Sequence, residues 1–203
     1  MTTLKTNKRL VCAKCGYPQS TCLCVWVNPI TTPVNIIILQ HPKEAKHAKN
    51  TVKLLTLGLK NITVLQGERP DDWPELAERV ANQPQHYSLF YPHEKSTSFE
   101  SISTPEQKES NFPVNHNMIF VDAPWRKALK IWHLNPWLKL CNSWHFTRPP
   151  ENQYQIRHTT QQNSLSTLES VVYVLEHTHK INCMALRTLF LNMQQICFLY
   201  HSG

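Results

Sequence analysis

Four cysteines near the N-terminus are the residues whose types and spacing most directly suggest chemistry. They are Cys12, Cys15, Cys22 and Cys24, four of the seven cysteines in the chain. The pattern C-x-x-C, a gap of six residues and C-x-C offers four thiolates, the ligand set of a closed tetrahedral Zn²⁺ site. Because four protein ligands leave no open position for water, such an ion stabilises a knuckle and does not itself catalyse a reaction.

Two disulfide bonds, or free thiols, are the alternatives to a zinc site. The first 15 residues, MTTLKTNKRLVCAKC, are basic and polar and contain no apolar signal-peptide segment. We therefore expect a cytoplasmic chain. Thiols stay reduced in that compartment, which favours zinc over disulfides.

The charge balance points to an anionic partner such as nucleic acid. The chain has 21 Lys and Arg residues against 14 Asp and Glu residues, a net charge of +7 with neutral histidines. Four basic residues lie around the cysteines in sequence: Lys5, Lys8, Arg9 and Lys14. Beside a zinc knuckle they suit RNA contacts, whereas the alternative is that they are solvated surface charges.

Composition excludes several classes of protein. The 203 residues are 41% hydrophobic without a long apolar run, which is typical of a soluble globular protein with no membrane span. There are four glycines and neither a G-x-G-x-x-G nor a P-loop motif, so Gly-rich phosphate-binding loops are excluded. No Ser-His-Asp set and no H-E-x-x-H motif stands out, which leaves hydrolases with little support.

The elements that would position functional residues form an α/β pattern. Short β-branched or aromatic runs predict strands over residues 34–40, 62–65, 87–91 and 118–122. Helical spacing predicts helices over residues 44–60, 73–82, 125–134, from 166 onward and over 183–200. Strands that alternate with helices predict a mostly parallel sheet with helices on both faces.

Local signals refine these elements. Asp71 and Asp72 are candidate N-caps, and Ser166 with Glu169 matches a capping box. The polar residues 95–117 are expected to form an exposed loop or an insertion. We expect a four-cysteine zinc knuckle at residues 1–28 and one larger domain at residues 29–203.

Six segments, taken in order, carry a resemblance to a known family. They are C-A-K-C-G-Y-P-Q-S-T-C-L-C (12–24), L-Q-H-P-K-E with N-T-V-K-L-L (39–55), I-F-V-D-A-P-W-R-K-A (119–128), N-P-W-L (135–138), Y-Q-I-R (154–157) and L-S-T-L-E-S (165–170). Together they resemble the DTW-domain family of tRNA-uridine aminocarboxypropyltransferases, which are distantly related to the SPOUT methyltransferases. The resemblance implies a SPOUT-like, knotted α/β domain. One departure stands out, because Pro124 replaces the threonine of the D-x-T-W motif and brings neither a hydroxyl nor a backbone N–H.

The resemblance implies transfer of the 3-amino-3-carboxypropyl group of S-adenosylmethionine to N3 of a uridine in tRNA. That nitrogen must lose its proton, and a carboxylate at the carboxyl end of a parallel strand is a suitable acceptor. Asp122 holds this position in the motif and is the candidate base. The alternative is that Asp122 caps the helix that begins at Pro124.

Further residues are candidates through the same resemblance. Trp125 could face the donor's sulfonium, although a tryptophan at a helix start is more often a core anchor. Arg157 could bind the transferred carboxylate or a tRNA phosphate, unless it is an exposed strand-edge side chain. The candidate donor-binding set is His41, Glu44, Asp122, Trp125, Ser166, Thr167 and Glu169.

Three other functions remain open at this stage. Pro124 motivates a non-catalytic RNA-binding protein that keeps the fold without the chemistry. Kinship of fold allows an RNA methyltransferase that uses the same donor. A zinc-stabilised interaction module without an RNA partner has the least support.

Overall fold

The protein is described from a computed structural model, which covers residues 10–156 and 165–199, with side chains through residue 196. Arg157, Lys5, Lys8 and Arg9 lie outside the described residues. Six strands are present in this part of the chain: β1 (Asn35–Gln40), β2 (Ile62–Gln66), β3 (Tyr87–Phe90), β4 (Thr97–Ser98), β5 (Asn117–Asp122) and β6 (Asn142–His145). Seven α-helices accompany them: α1 (Pro42–Ala45), α2 (Thr51–Gly58), α3 (Pro74–Asn82), α4 (Pro105–Asn111), α5 (Trp125–Leu134), α6 (Thr167–His179) and α7 (Met184–Leu199).

The strands form one sheet in the order β2-β1-β5-β3-β6-β4, and every neighbouring pair is parallel. Strand β5 lies centrally, with Gln40 of β1 directly opposite Asp122 of β5. Parallel strands present their carboxyl ends at one edge, so the loops after β1, β3 and β5 meet there. The predicted mostly parallel sheet is confirmed.

Apolar side chains fill both faces of the sheet. In β1, Ile36 and Ile38 belong to the core cluster that also contains residues of α2, α6 and α7. Ile37 and Leu39 point to the other face, where they pack with residues of α3 and α5. The period-two alternation of a strand explains this division, and it confirms that helices cover both faces.

The helix predicted over residues 44–60 is wrong as a single element, because the chain breaks between α1 and α2. Asn50 is the N-cap of α2, and its side chain accepts a hydrogen bond of 2.8 Å from the backbone N–H of Val52. Helix α1 already ends at Ala45, and Asn50 begins a new helix although the apolar spacing continues across the break. Helix α2 ends at Gly58, two residues before the end of the predicted range.

The segment 95–117 is not an exposed loop, because it contains β4, a 3-10 turn and α4. Phe99 and Phe112 are fully buried and pack against Phe90 of β3. A capping box between Thr104 and Gln107 begins α4. Two buried aromatic side chains therefore anchor a segment whose average composition is polar.

Two smaller expectations also change. Trp73 is the N-cap residue of α3, and Asp72 instead accepts hydrogen bonds of 2.7 and 2.8 Å from the backbone of Glu68 and Arg69. Strand β6, absent from the sequence prediction, has one buried side chain, Trp144. Among the described residues, no helix has both the length and the apolar character needed to cross a bilayer.

Candidate functional site

Asp122 ends the central strand and is held by side chains from two other elements. Its Oδ1 accepts a hydrogen bond of 2.6 Å from the Thr167 hydroxyl, and its Oδ2 accepts one of 2.9 Å from Nε2 of Gln40. Its backbone carbonyl accepts a bond of 2.9 Å from the N–H of His41. Two segments distant in sequence, the end of β1 and the start of α6, therefore fix the orientation of this carboxylate.

Asp122 does not cap α5, so that alternative is wrong. The N-cap residue of α5 is Pro124, whose carbonyl accepts bonds of 2.7 and 2.9 Å from the N–H groups of Lys127 and Ala128. An N-cap residue contributes its carbonyl and needs no N–H for the helix, so proline can start α5, although it offers no side-chain oxygen as a cap. The carboxylate of Asp122 instead bonds Thr167 and Gln40.

Gln40 connects Asp122 to the start of α2 and was missed by sequence reasoning. It is 3% exposed, and its Nε2 also donates a bond of 3.2 Å to Oδ1 of Asn50. Asn50 is itself buried at the N-cap of α2. The available signal was a polar residue at the end of an apolar strand, since buried amides are retained where they have partners.

Helix α6 brings Thr167 to Asp122 through the predicted capping box, which is confirmed. The Ser166 hydroxyl accepts a bond of 3.3 Å from the N–H of Glu169, and the Glu169 carboxylate accepts one of 2.8 Å from the N–H of Ser166. Glu169 is buried, and its other oxygen accepts a bond of 2.6 Å from the N–H of Gln153. Glu169 therefore organises backbone around the site with both of its oxygens.

His41 is buried with both ring nitrogens in use. Its Nδ1 accepts a bond of 3.1 Å from the N–H of Lys43, and its Nε2 lies 2.7 Å from Oε2 of Glu68. Since Nδ1 accepts, Nε2 carries the proton and donates to the carboxylate. The ring holds the loop after β1 in place, and Glu44 lies buried in the short helix α1 that follows.

Glu68 joins that loop to helix α5. Its carboxylate pairs with the ammonium groups of Lys130 and, at 3.2 Å, Lys127, in addition to His41. Lys130 first, then His41 and Lys127, lower the pKa of Glu68 to about 2, against an opposing effect of burial. This ion-pair cluster ties α5, which follows Asp122, to the loop after β2.

Trp125 is not a core anchor, because 51% of its surface is exposed. Its ring centroid lies 6.2 Å from that of Tyr91, which follows β3. Trp125 and Tyr91 line a cavity of about 790 Å³ between α5 and β6. Trp125 therefore joins this cavity to the segment that follows Asp122 in sequence.

The four N-terminal cysteines have the geometry of a metal site. All four Sγ atoms lie within 4.8 Å of one another. The Cys12 and Cys24 sulfurs are 3.6 Å apart, and the Cys15 and Cys22 sulfurs are 3.8 Å apart. Tetrahedral Zn²⁺ with bonds of about 2.3 Å requires sulfurs about 3.8 Å apart, whereas a disulfide requires about 2.0 Å. The donor set and spacing therefore fit zinc, and none of the four is in a disulfide.

The backbone of the knuckle is shaped for these ligands. Hydrogen bonds from the backbone of Cys15 and Lys14 lower the pKa of Cys12 to about 6, whereas hydrogen bonds to the neighbouring thiols Cys12 and Cys22 raise the pKa of Cys24 to about 12. Gly16 has a φ of +64°, a conformation that other residues adopt at a cost. Its carbonyl accepts a hydrogen bond from Nζ of Lys53, which lies 4.1 Å from the Tyr17 ring centroid. These contacts fasten the knuckle to α2.

Comparison with known proteins gives matches over most of the chain. Residues 9–198 match the DTW domain family. Three similar proteins are named tRNA-uridine aminocarboxypropyltransferase: number 2 of Mus musculus (27% identical over 197 residues), number 2 of Drosophila melanogaster (30% over 175 residues) and A of Arabidopsis thaliana (29% over 137 residues). The alignments cover 94%, 83% and 60% of this chain, but 63%, 66% and 50% of those proteins. No solved structure matches the chain significantly.

Proposed function

This chain belongs to the DTW-domain family, and from that membership we propose that it is a tRNA-uridine aminocarboxypropyltransferase with S-adenosylmethionine as donor. The relatives that carry this name support the reaction class. The observation that carries the proposal is the carboxylate of Asp122, held by Thr167 and Gln40 at the carboxyl edge of a parallel sheet. Ligands bind at that edge in open α/β sheets.

In the proposed reaction, Asp122 accepts the proton from N3 of the target uridine. The N3 electron pair then forms a bond to the terminal methylene carbon of the donor's aminocarboxypropyl group. The bond from that carbon to sulfur breaks, and its electron pair neutralises the sulfonium, which leaves methylthioadenosine. Atoms and charge balance without a metal or a redox partner, so the four-cysteine site has no role in this step.

Residues around Asp122 supply what the donor requires. The carboxylate and the exposed face of Trp125 stabilise the positive sulfonium. The N-terminus of α6, where Ser166 and Thr167 lie, favours the donor's own carboxylate through the positive end of the helix dipole, because the Thr167 hydroxyl is already donated to Asp122. Arg157 is proposed to bind the same carboxylate or a tRNA phosphate.

We propose that the remaining donor-binding candidates hold neighbouring backbone segments in place. His41 has no ring nitrogen to spare, so we assign it to holding the loop after β1 against Glu68. Glu169 keeps the segment before α6 in place through Gln153. We assign the same positioning role to Glu44, which is buried in α1.

Other features complete the proposal. Zinc bound by Cys12, Cys15, Cys22 and Cys24 stabilises residues 1–28, and residues 29–203 form the catalytic domain with a knotted, SPOUT-like path. The excess of basic residues, among them the exposed Lys14, attracts tRNA. A reduced four-cysteine site suits the cytoplasm, where we place the protein.

The test is mass spectrometry of nucleosides from an unmodified tRNA transcript after incubation with the protein and S-adenosylmethionine. The proposal expects uridine that carries an aminocarboxypropyl group, together with released methylthioadenosine. A methyl group on the RNA and released adenosylhomocysteine would assign a methyltransferase instead. RNA binding without donor binding or product, from folded metal-loaded protein, would favour a non-catalytic RNA-binding protein and implicate Pro124.

A further inference from the structure

We propose that the cavity between α5 and β6 binds an unpaired nucleotide of the RNA substrate next to the uridine that reacts. This inference rests on the proposed function for the identity of the RNA. Aromatic faces would stack the base, and lysines at the rim would contact the phosphates. The cavity is lined by Tyr91, His93, Trp125, Trp132, Asn142 and Trp144, among others.

The aromatic side chains of the cavity form a continuous set of neighbouring rings. The His93 ring lies against Trp132 with centroids 4.3 Å apart and an interplanar angle of 21°. Tyr91 lies between Trp132 and Trp125, with centroids 5.7 and 6.2 Å away. Single-stranded nucleic acids bind by stacking successive bases on such platforms. Because about half of the Trp125 side chain is exposed, this ring offers an aromatic face to a ligand in the cavity.

The charged side chains around the cavity suit a ligand that carries a phosphate. Lys95 and Lys139 line it, and Nζ of Lys139 lies 5.9 Å from the ring centroid of Trp132. Among the described lining residues, Glu94 is the single carboxylate. Cations placed beside aromatic faces match a ligand that combines a base with a phosphate. A purely apolar ligand would not use them.

The lining residues distinguish this cavity from the proposed donor site. Of the donor-binding candidates, Trp125 alone lines the cavity, whereas Asp122 and Thr167 do not. The donor and the RNA nucleotide would then share Trp125 as a common neighbour. The exposed amide of Asn142, on β6, is placed to bond a base edge.

The experiment measures the affinity of a tRNA transcript and, separately, of S-adenosylmethionine for the intact, metal-loaded protein. Trp132→Leu removes the ring on which His93 and Tyr91 pack and so disrupts the aromatic platform, and Lys139→Ala removes a cation. We expect the tRNA dissociation constant to rise about tenfold for Trp132→Leu and about threefold for Lys139→Ala, with donor affinity unchanged. Lys60→Ala, an exposed lysine after α2, is the matched control and should leave both affinities unchanged.

Unchanged tRNA affinity in both variants would overturn the proposal. So would a loss of donor affinity with normal tRNA binding, which would identify the cavity as the donor site. Since Trp132 also packs against the core, its variant could fail to fold. Crosslinking of 4-thiouridine-containing tRNA to wild-type protein then decides, and a crosslink in the tryptic peptide 131–139 is expected. Crosslinks confined to other peptides would overturn the proposal.

Two measurements, uridine modification and tRNA affinity, test the transferase proposal and the cavity proposal separately. Variants that weaken tRNA binding, in a protein that yields no modified uridine, would support the cavity and contradict the transferase. Modified uridine from wild-type protein, with unchanged tRNA affinity in both cavity variants, would support the transferase and contradict the cavity.

Discussion

The Thr167 hydroxyl donates a hydrogen bond of 2.6 Å to Oδ1 of Asp122, which joins the first turn of α6 to the end of β5. The two residues are 45 positions apart in sequence. Threonine donates and the carboxylate accepts, so the bond fixes one oxygen of Asp122. Gln40 fixes the other oxygen at 2.9 Å.

Removal of this hydroxyl should impair catalysis more than folding. Thr167→Val keeps the shape and deletes the hydrogen bond to a charged group, an interaction of about 1.5–3 kcal/mol. We expect kcat to fall roughly tenfold or more. Initial rates of uridine modification test this. Thr188→Val, exposed on α7, is the control, and equal rates for the two variants would contradict a role for Thr167.

The capping box should contribute to stability independently of chemistry. Ser166→Ala removes the oxygen that accepts from the N–H of Glu169, and loss of an N-cap costs about 1 kcal/mol of unfolding free energy. Urea unfolding measures the change. Ser101→Ala, at an exposed position of a 3-10 turn, should cost less. A Ser166→Ala protein as stable as wild type would contradict the assigned cap.

Glu68 should make stability depend on pH in the acid range. Its pKa is about 2 in the folded protein against 4.5 for the free group, mainly through Lys130. A lowered pKa stabilises the folded state above about pH 4.5, and that contribution is lost as the pH falls from about 4.5 towards 2. Glu68→Gln should therefore be less stable than wild type at pH 7, with a difference that shrinks by pH 3. Urea unfolding at both values checks this, with Glu75→Gln, exposed on α3, as control. A constant difference would exclude the ion-pair origin.

The cysteine site should hold one zinc ion per chain. Elemental analysis of purified protein should find it, and Cys22→Ser should reduce it, whereas the isolated, buried Cys141→Ser should not. Because Cys15, Tyr17 and Leu23 are part of the main core, a chelator should lower the melting temperature by roughly 5 °C or more. A purified protein that contains no metal and is fully stable would contradict the proposed zinc site.

Local sequence signals predicted the parts of the fold that depend on neighbouring residues. The β-branched apolar run of β1 and the capping box at Ser166 are both local, and both are confirmed. Phe99 and Phe112 gave no local signal, because they reach the core through a segment that is otherwise polar. The average composition of residues 95–117 therefore predicted an exposed loop or an insertion, whereas the segment contains β4 and α4.

The candidate site was predictable in position but not in its contacts. The motif placed Asp122 at a strand end, and the sequence left open whether it caps α5. The hydrogen bonds to Gln40 and Thr167 depend on the strand order, which puts β1 beside β5, and on the return of the chain at α6. Pairing between distant segments is not encoded in any short window of sequence, so Gln40 was missed.

The most direct test of the account compares wild type with Asp122→Asn in the formation of modified uridine. The substitution keeps the size of the side chain and removes the base. The account predicts that Asp122→Asn folds and binds tRNA as wild type does, but forms aminocarboxypropyl-uridine at least about a hundredfold more slowly. An Asp122→Asn protein that modifies tRNA at the wild-type rate would contradict the central claim that this carboxylate accepts the proton.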